Sequence, residues 1–276
     1  MKIEAKHLTK DYVLKEKSGL WQKKKTKTIR AVEDISIEIP QGKIVGVLGI
    51  NGAGKTTTIR MLASLIVPTS GSVVMNGVDV VDNHLWAKER INLISGGERN
   101  LYWRLTAREN LEYFGSLYGI EGKVLKEKIK DLLKLVDLES AADIPVERYS
   151  KGMKQRLQIA RGLINDPEYI FLDEPTLGLD IVIAKEIRKL ISELAVQKKK
   201  GILLTTHYIS EAEELCDYIY VLDKGKVIAE GTKEELRNLL VAKPKMVMQE
   251  ASLEDVMMSI IEKSRGMKDE EMVVDN

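Results

Sequence analysis

Apolar positions recur along this chain with two different periods, and their alternation predicts a layered α/β fold. Ile3, Ala5 and His7 alternate with Glu4 and Lys6, and Ile35, Ile37 and Ile39 alternate with Ser36 and Glu38, the pattern of half-buried strands. Val73-Val74-Met75, Asn76-Gly77 and Val78-Asp79-Val80 read as a hairpin. Pro68 and the Thr69-Ser70-Gly71 cluster are expected to stop the helix before them. The apolar run Ile44 to Leu48 predicts a strand, as do Tyr169 to Leu172 and Gly201 to Thr206.

From about residue 99 to 165 the pattern turns helical, with Leu125, Ile129, Leu132, Leu133 and Val136 at helical spacing among many charges. This stretch reads as a helical subdomain inserted between the Ile44 strand and the next core strand at Tyr169. Asp180 fits the N-cap of a helix whose buried face is Ile183, Ile187, Leu190, Ile191 and Leu194. Ser210-Glu211-Ala212-Glu213 has the order of a capping box and is expected to start another helix. Strands alternating with helices imply a mostly parallel core. Beyond Gly231, Ser252-Leu253-Glu254-Asp255 caps a short amphipathic helix (Leu253, Val256, Met257, Ile260, Ile261), and the charged tail from Lys268 to Asn276 is expected to be disordered.

Composition narrows the class. The 276 residues carry 43 basic and 42 acidic side chains, so nothing argues for a nucleic-acid partner. One cysteine, Cys216, excludes an internal disulfide framework; beside Leu215 in an apolar helical stretch it reads as a small buried hydrophobe. No apolar run approaches the about 18 residues that span a bilayer, and the N-terminus lacks a signal-peptide core, so the chain is expected to be cytosolic. No internal repeat occurs.

The chemistry begins after the Ile44 run. Gly49-Ile50-Asn51-Gly52-Ala53-Gly54-Lys55-Thr56 spells G-x-x-x-x-G-K-[ST], and Thr57 to Leu62 continues it as a helix. The glycines let backbone N–H groups point inward at a phosphate chain, and the helix N-terminus adds partial positive charge. In this pattern Lys55 reaches the β/γ-phosphates and Thr56 ligates Mg²⁺, so a nucleoside triphosphate is the expected ligand. Tyr169 to Leu172 delivers Asp173 and Glu174 at a strand's C-terminal end, where open α/β sheets bind ligands. Asp173 fits the Mg²⁺ partner of Thr56. Glu174, expected on the other side of the strand, fits the base that takes a proton from the attacking water. His207 ends the Leu203-Leu204-Thr205-Thr206 strand on the same edge, which favours a γ-phosphate contact. An Asn-Lys-x-Asp guanine reader is missing, which argues against GTP.

The order of these motifs resembles the nucleotide-binding domain of an ATP-binding cassette (ABC) transporter, over about residues 1 to 232. Tyr149-Ser150-Lys151-Gly152-Met153 is similar to that family's signature, usually Leu-Ser-Gly-Gly-Gln. Gly178-Leu179-Asp180, after Glu174-Pro175-Thr176, resembles its D-loop, and Tyr12 matches the aromatic that stacks on adenine. The resemblance implies a P-loop NTPase core with an N-terminal antiparallel β subdomain and an inserted helical subdomain, with residues 233–276 as an extension. It implies ATP and Mg²⁺ as ligands, with ATP contacted by Tyr12, by Gly49, Ile50, Asn51, Gly52, Ala53, Gly54, Lys55, Thr56 and Thr57, and by Asp180. It also implies a head-to-tail dimer, of identical or different cassettes, in which Ser150 and Gly152 act on the partner's ATP. Ser150 and Gly152 stand at the N-terminus of a helix read from Met153 to Ile164, itself a natural anion site.

Leu105-Thr106-Ala107-Arg108-Glu109-Asn110-Leu111 and the Ser252 helix resemble the drug- and peptide-exporter branch. There the membrane permease is a separate chain and the cassette sits at the cytoplasmic face of the membrane. Two rivals stay open: a soluble cassette ATPase outside transport, and a mainly regulatory cassette paired with a more active one. Two positions depart from the family: Gly97 stands where the lid glutamine is usual, and Lys151 replaces the signature's first glycine. Glu98 is the expected substitute for the missing amide, through water. The Lys15 to Arg30 stretch, with Trp21 among its cations, reads as a solvated loop or as a contact with anionic lipid.

Overall fold

The computed structural model describes residues 1–15, 26–96 and 101–239. Two strands, β1 (Lys2–Lys15) and β2 (Thr26–Pro40), precede β3 (Ile44–Leu48) and helix α1 (Lys55–Leu62). Next come β4 (Ser70–Met75), β5 (Val78–Asp79), α2 (His84–Arg90) and β6 (Ile91–Ser95). Three helices follow: α3 (Ala107–Leu117), α4 (Gly122–Leu135) and α5 (Lys151–Gly162). The rest alternates as β7 (Tyr169–Asp173), α6 (Ile181–Val196), β8 (Gly201–Thr206), α7 (Ile209–Leu215), β9 (Tyr218–Asp223), β10 (Lys226–Gly231) and α8 (Lys233–Leu239).

The strands form an antiparallel sheet ordered β2-β1-β4-β5 and a sheet ordered β10-β9-β3-β8-β7-β6. In the second, β9, β3, β8, β7 and β6 run parallel, and β10 closes the edge antiparallel. The parallel strands are apolar on both faces because each face has its own core. Tyr169, Phe171, Leu203, Val45 and Val47 pack toward the antiparallel sheet and α1. Ile170, Leu172, Ile202, Leu204 and Ile44 pack in the other core, with Leu111 of α3, Ile129 of α4, Leu157 of α5 and Ile187 of α6. Period-two alternation thus survives inside runs that read as uniformly hydrophobic. The register sets Leu48 beside Thr206 and Asp173 beside Thr205, so three parallel strands end at one edge.

Several expectations need correction. His7 is not in the buried row: a bulge after Ala5 puts Leu8 in the core and leaves His7 exposed at φ 53°, its Nδ1 2.7 Å from Asp34. Helix α1 ends at Leu62, before Pro68; Ser64 takes the left-handed φ of 55°, and Ser70 and Gly71 already belong to β4. The core also resumes before Tyr169, because β6 pairs in parallel with β7. No capping box forms at Ser210: α7 starts after Tyr208 without a side-chain cap, and Glu211 is buried. Cys216 lies just past α7 rather than within a helix; it is buried, and desolvation pushes its thiol up to about 12. Part of the Lys15–Arg30 stretch is strand, and Arg30 forks onto Asp11 at 2.9 and 3.1 Å.

Other expectations are met. The Asn76-Gly77 hairpin forms, with both residues at positive φ, and Asp180 caps α6 by accepting from the Ile183 N–H at 3.0 Å. Trp21, Gly97, Glu98, the Ser252 helix and the C-terminal tail lie outside the described residues.

Candidate functional site

The site forms where the parallel strands end. Beyond β3 the chain turns through Gly49 to Gly54, with Gly52 at φ 84° and Gly54 at φ 102°. Gly54 has no alternative: a Cβ there would lie 2.8 Å from the Ala31 carbonyl oxygen, on a backbone that L-residues rarely adopt. No side chain caps α1, so its first-turn N–H groups stay available to an anion. Around this terminus Ile50, Asn51 and Gly52 are exposed, Ala53 is buried and Thr57 is half-buried.

Lys55 is only 5% exposed, and its ammonium donates to the Gly49 and Ile50 carbonyls at 2.7 and 3.3 Å. A buried ammonium held under a turn of inward backbone suits a polyanion, whose charge would meet both the lysine and the helix terminus. The Thr56 hydroxyl lies 3.2 and 3.4 Å from the two Asp173 carboxylate oxygens. Hydroxyl and carboxylate oxygens are hard donors that fit Mg²⁺, which takes few protein ligands and fills its octahedron with phosphate and water oxygens. Among the described residues no group of three His, Cys, Asp or Glu side chains could hold a metal by itself.

Glu174 leaves the strand end at φ 52°, a left-handed conformation uncommon for a residue with a side chain. Its N–H is held by the Thr205 carbonyl at 3.0 Å and by the Thr205 hydroxyl at 3.2 Å. That turn brings Glu174 Oε1 to 3.3 Å from Lys55 Nζ and 3.3 Å from His207 Nδ1. The imidazole contact is close without hydrogen-bond alignment, since His207 Nδ1 has no partner by that stricter measure. The sequence reading missed Thr205, whose hydroxyl also reaches Asp173 Oδ1 at 2.5 Å and so ties both acids to β8. Two adjacent threonines ending an apolar strand were the available signal.

A second cluster forms elsewhere. Ser150 caps α5, accepting from the Met153 N–H at 3.2 Å; the helix starts at Lys151 rather than Met153. A Cβ on Gly152 would lie 2.7 Å from Ile183 Cγ2, so the starts of α5 and α6 are packed together, which brings Asp180 near. The Lys151 ammonium lies against Gly178 of the same loop. Among the described residues, no hydrogen bond or ion pair joins Ser150, Lys151 or Gly152 to Lys55, Thr56, Asp173, Glu174 or His207. Tyr12 stands apart from both clusters on the β1–β2 ribbon, 37% exposed, with Lys10 Nζ 5.5 Å from its ring centre. Its pairing partner Ile29 is two residues from Ala31, which abuts Gly54.

Comparisons with known proteins agree on one family. Residues 32–177 match the family described as ABC transporter. The ABC transporter ATP-binding protein NatA of Bacillus subtilis is 44% identical over 212 residues, 77% of this chain and 86% of that protein. The Nod factor export ATP-binding protein I of Cupriavidus metallidurans is 40% identical over 205 residues, 74% of this chain and 67% of that protein. Among solved structures, the dimeric post-hydrolysis state of the ATP-binding cassette MJ0796 bound to ADP and Pi superposes with a TM-score of 0.71 at 28% identity, covering 83% of this chain and 98% of that one.

Proposed function

The chain belongs to the ABC transporter family as an ATP-binding, ATP-hydrolysing cassette, and on that premise we propose that it energises an exporter whose membrane-spanning permease is a separate chain. The name of the Nod factor export relative supports this direction of transport. Among the described residues no helix is long and apolar enough to cross a membrane. The cassette then works peripherally, at the cytoplasmic face, with residues 1–232 forming the ATPase unit and 233–276 an extension.

In this reading Gly49 to Thr57 cradle the triphosphate, Lys55 neutralises its terminal charges and Tyr12 stacks on adenine. Thr56 and Asp173 hold Mg²⁺, which when bound polarises the phosphoryl oxygens and stabilises the leaving group. Glu174 accepts the proton of the attacking water. His207 lies beside Glu174 on one side and contacts the γ-phosphate on the other. Ser150, Gly152 and Asp180 close the nucleotide site of a second cassette, identical or different, so that ATP draws two cassettes together and hydrolysis releases them. The contact of Glu174 with both Lys55 and His207 carries the reading, since it sets a carboxylate against the phosphate-binding lysine.

Glu174→Gln tests it. The amide cannot take the proton, so turnover is expected to fall by about 10²–10⁴-fold, the usual contribution of a general base. ATP binding should persist, and an ATP-dependent dimer should accumulate on size-exclusion chromatography. Turnover at the native rate in this variant would remove Glu174 from the role of base.

A further inference from the structure

We propose that Glu211 is a positioning residue that ties together the two loops carrying Glu174 and His207, and so keeps those side chains within reach of each other. The proposal rests on the roles given above to Glu174 and His207.

Glu211 lies in the first turn of α7 and is 1% exposed. An acid so deeply buried needs a reason, because desolvation disfavours its charge and pushes its pKa up. Helix capping does not supply one, as α7 has no side-chain cap. What Glu211 does contact is specific. Its Oε1 accepts the Thr176 hydroxyl at 2.7 Å, and the Thr206 side chain acts on the same carboxyl group, favouring its charged form. Oε2 is buried without a hydrogen-bond partner. The cationic Arg188 of α6 also favours the charged form, opposed by Glu214, whose carboxylate Arg188 pairs at 2.6 Å.

Thr176 and Thr206 are the informative partners. Thr176 is buried and follows Glu174-Pro175; Thr206 is buried and immediately precedes His207. The segment after Glu174 leaves β7 through a left-handed residue and then turns on itself, the Leu177 N–H donating to the Glu174 carbonyl at 3.2 Å and the Leu179 N–H to the Thr176 carbonyl at 3.1 Å; these bonds shape the turn without anchoring it to α7. Glu211 fixes it to α7, the helix entered directly from His207. A rigid proline between Glu174 and Thr176 carries that constraint back to Glu174 with little slack. Releasing the hydroxyl–carboxyl bond would leave the Glu174 N–H on Thr205 to hold the two strand ends together, and beyond that anchor the two loops could shift against each other. The 3.3 Å approach of Glu174 to His207 would then be lost in part, while the phosphate cradle stays intact.

Steady-state ATP hydrolysis by the full chain tests the proposal, with folding followed by thermal melts. Thr176→Val keeps the volume and removes the hydroxyl; Glu211→Ala removes the acceptor; Glu211→Gln keeps an oxygen that can accept from Thr176. The first two are expected to lower kcat about tenfold, the scale of one hydrogen bond, with KM for ATP within about twofold. Glu211→Gln should retain at least about half of kcat, and Thr176→Val combined with Glu211→Ala should be no worse than either alone. A native kcat in Thr176→Val would overturn the proposal, as would a Glu211→Gln as impaired as Glu211→Ala. A purely structural role predicts lower melting temperatures with unchanged kcat per folded chain, and that result also overturns it. Glu174→Gln assayed alongside separates the two levels. If it turns over normally, the base assignment fails; if it is inactive while Thr176→Val is native, only the positioning role fails.

Discussion

Helices α1 and α5 both begin with a turn suited to an anion, yet their surroundings differ in kind. The start of α1 has no side-chain cap, and the chain itself surrounds it with a buried lysine, two strand-end acids and a histidine. The start of α5 is capped by its own Ser150, and among the described residues none of those groups bonds to it. The groups gathered at one terminus suit the proton transfer and metal binding proposed for it; the other offers N–H groups, a hydroxyl and the Lys151 ammonium. In the proposed reading the two are complementary, the α5 terminus of each cassette completing the α1 terminus of a second.

The most drastic way to break that comparison is Ser150→Arg. A bulky cation at the α5 terminus should block closure on the partner's nucleotide and cut turnover at least about a hundredfold, as for a lost transition-state donor. Mixing decides whether the terminus acts between chains. Paired with a Glu174→Gln chain, both defects fall on one composite site and leave the other intact. An equal mixture should then recover up to about a quarter of native activity, from half of the dimers being mixed and half of their sites intact. If Ser150 served its own chain's site, every site would carry a defect and the mixture would stay inactive.

The difference between the termini was only partly legible in the sequence. The phosphate loop is a local pattern, and Asp173 and Glu174 follow a strand whose length alone predicts where they end. Ser150 was legible as lying at a helix start but not as its cap, because the helix was expected from Met153 and begins at Lys151. Long-range packing was harder to read. Ser210 to Glu213 has the spacing of a cap, but Glu211 is drawn inward to Thr176, a contact 35 positions away in the chain. β6 escaped notice because only Ile91 and Ile94 are fully buried. Asn92 between them is satisfied by the Gly162 carbonyl at 2.7 Å and by Asn165 at 2.6 Å, which no periodicity predicts. His7 failed as a core position because the first of three irregularities in the β1–β2 pairing, between Ala5 and Leu8, turns Leu8 rather than His7 to the buried face.

Lys55→Ala probes the equipped terminus alone. The ammonium meets the phosphates before any chemistry occurs, so the loss should appear in binding. Affinity for ATP is expected to drop about 30- to 100-fold, corresponding to roughly 2–3 kcal/mol for a charge-assisted contact. Titration of dilute chain with a fluorescent ATP analogue measures it. The same titration of Ser150→Arg should give the native affinity, because its defect lies at the other terminus. Equal losses in the two variants would mean that a single chain uses both termini on one nucleotide.

The smallest expected effect separates the two duties of Ser150. As a cap it satisfies the Met153 N–H at 3.2 Å, and replacing it with alanine should cost about 1 kcal/mol of stability in chemical denaturation. Glycine tolerates the cap position far better, so Ser150→Gly should cost only a few tenths of a kcal/mol. Neither variant offers a hydroxyl to a nucleotide. If Ser150 acts on ATP, the two should lose similar fractions of turnover despite different stabilities. If its duty is to start α5, activity should follow stability, with Ser150→Gly close to native and Ser150→Ala below it. A glycine variant that is stable and impaired thus assigns the hydroxyl to the nucleotide, whereas one that is stable and active leaves Ser150 as a cap and shifts the anion contact to the N–H groups of α5.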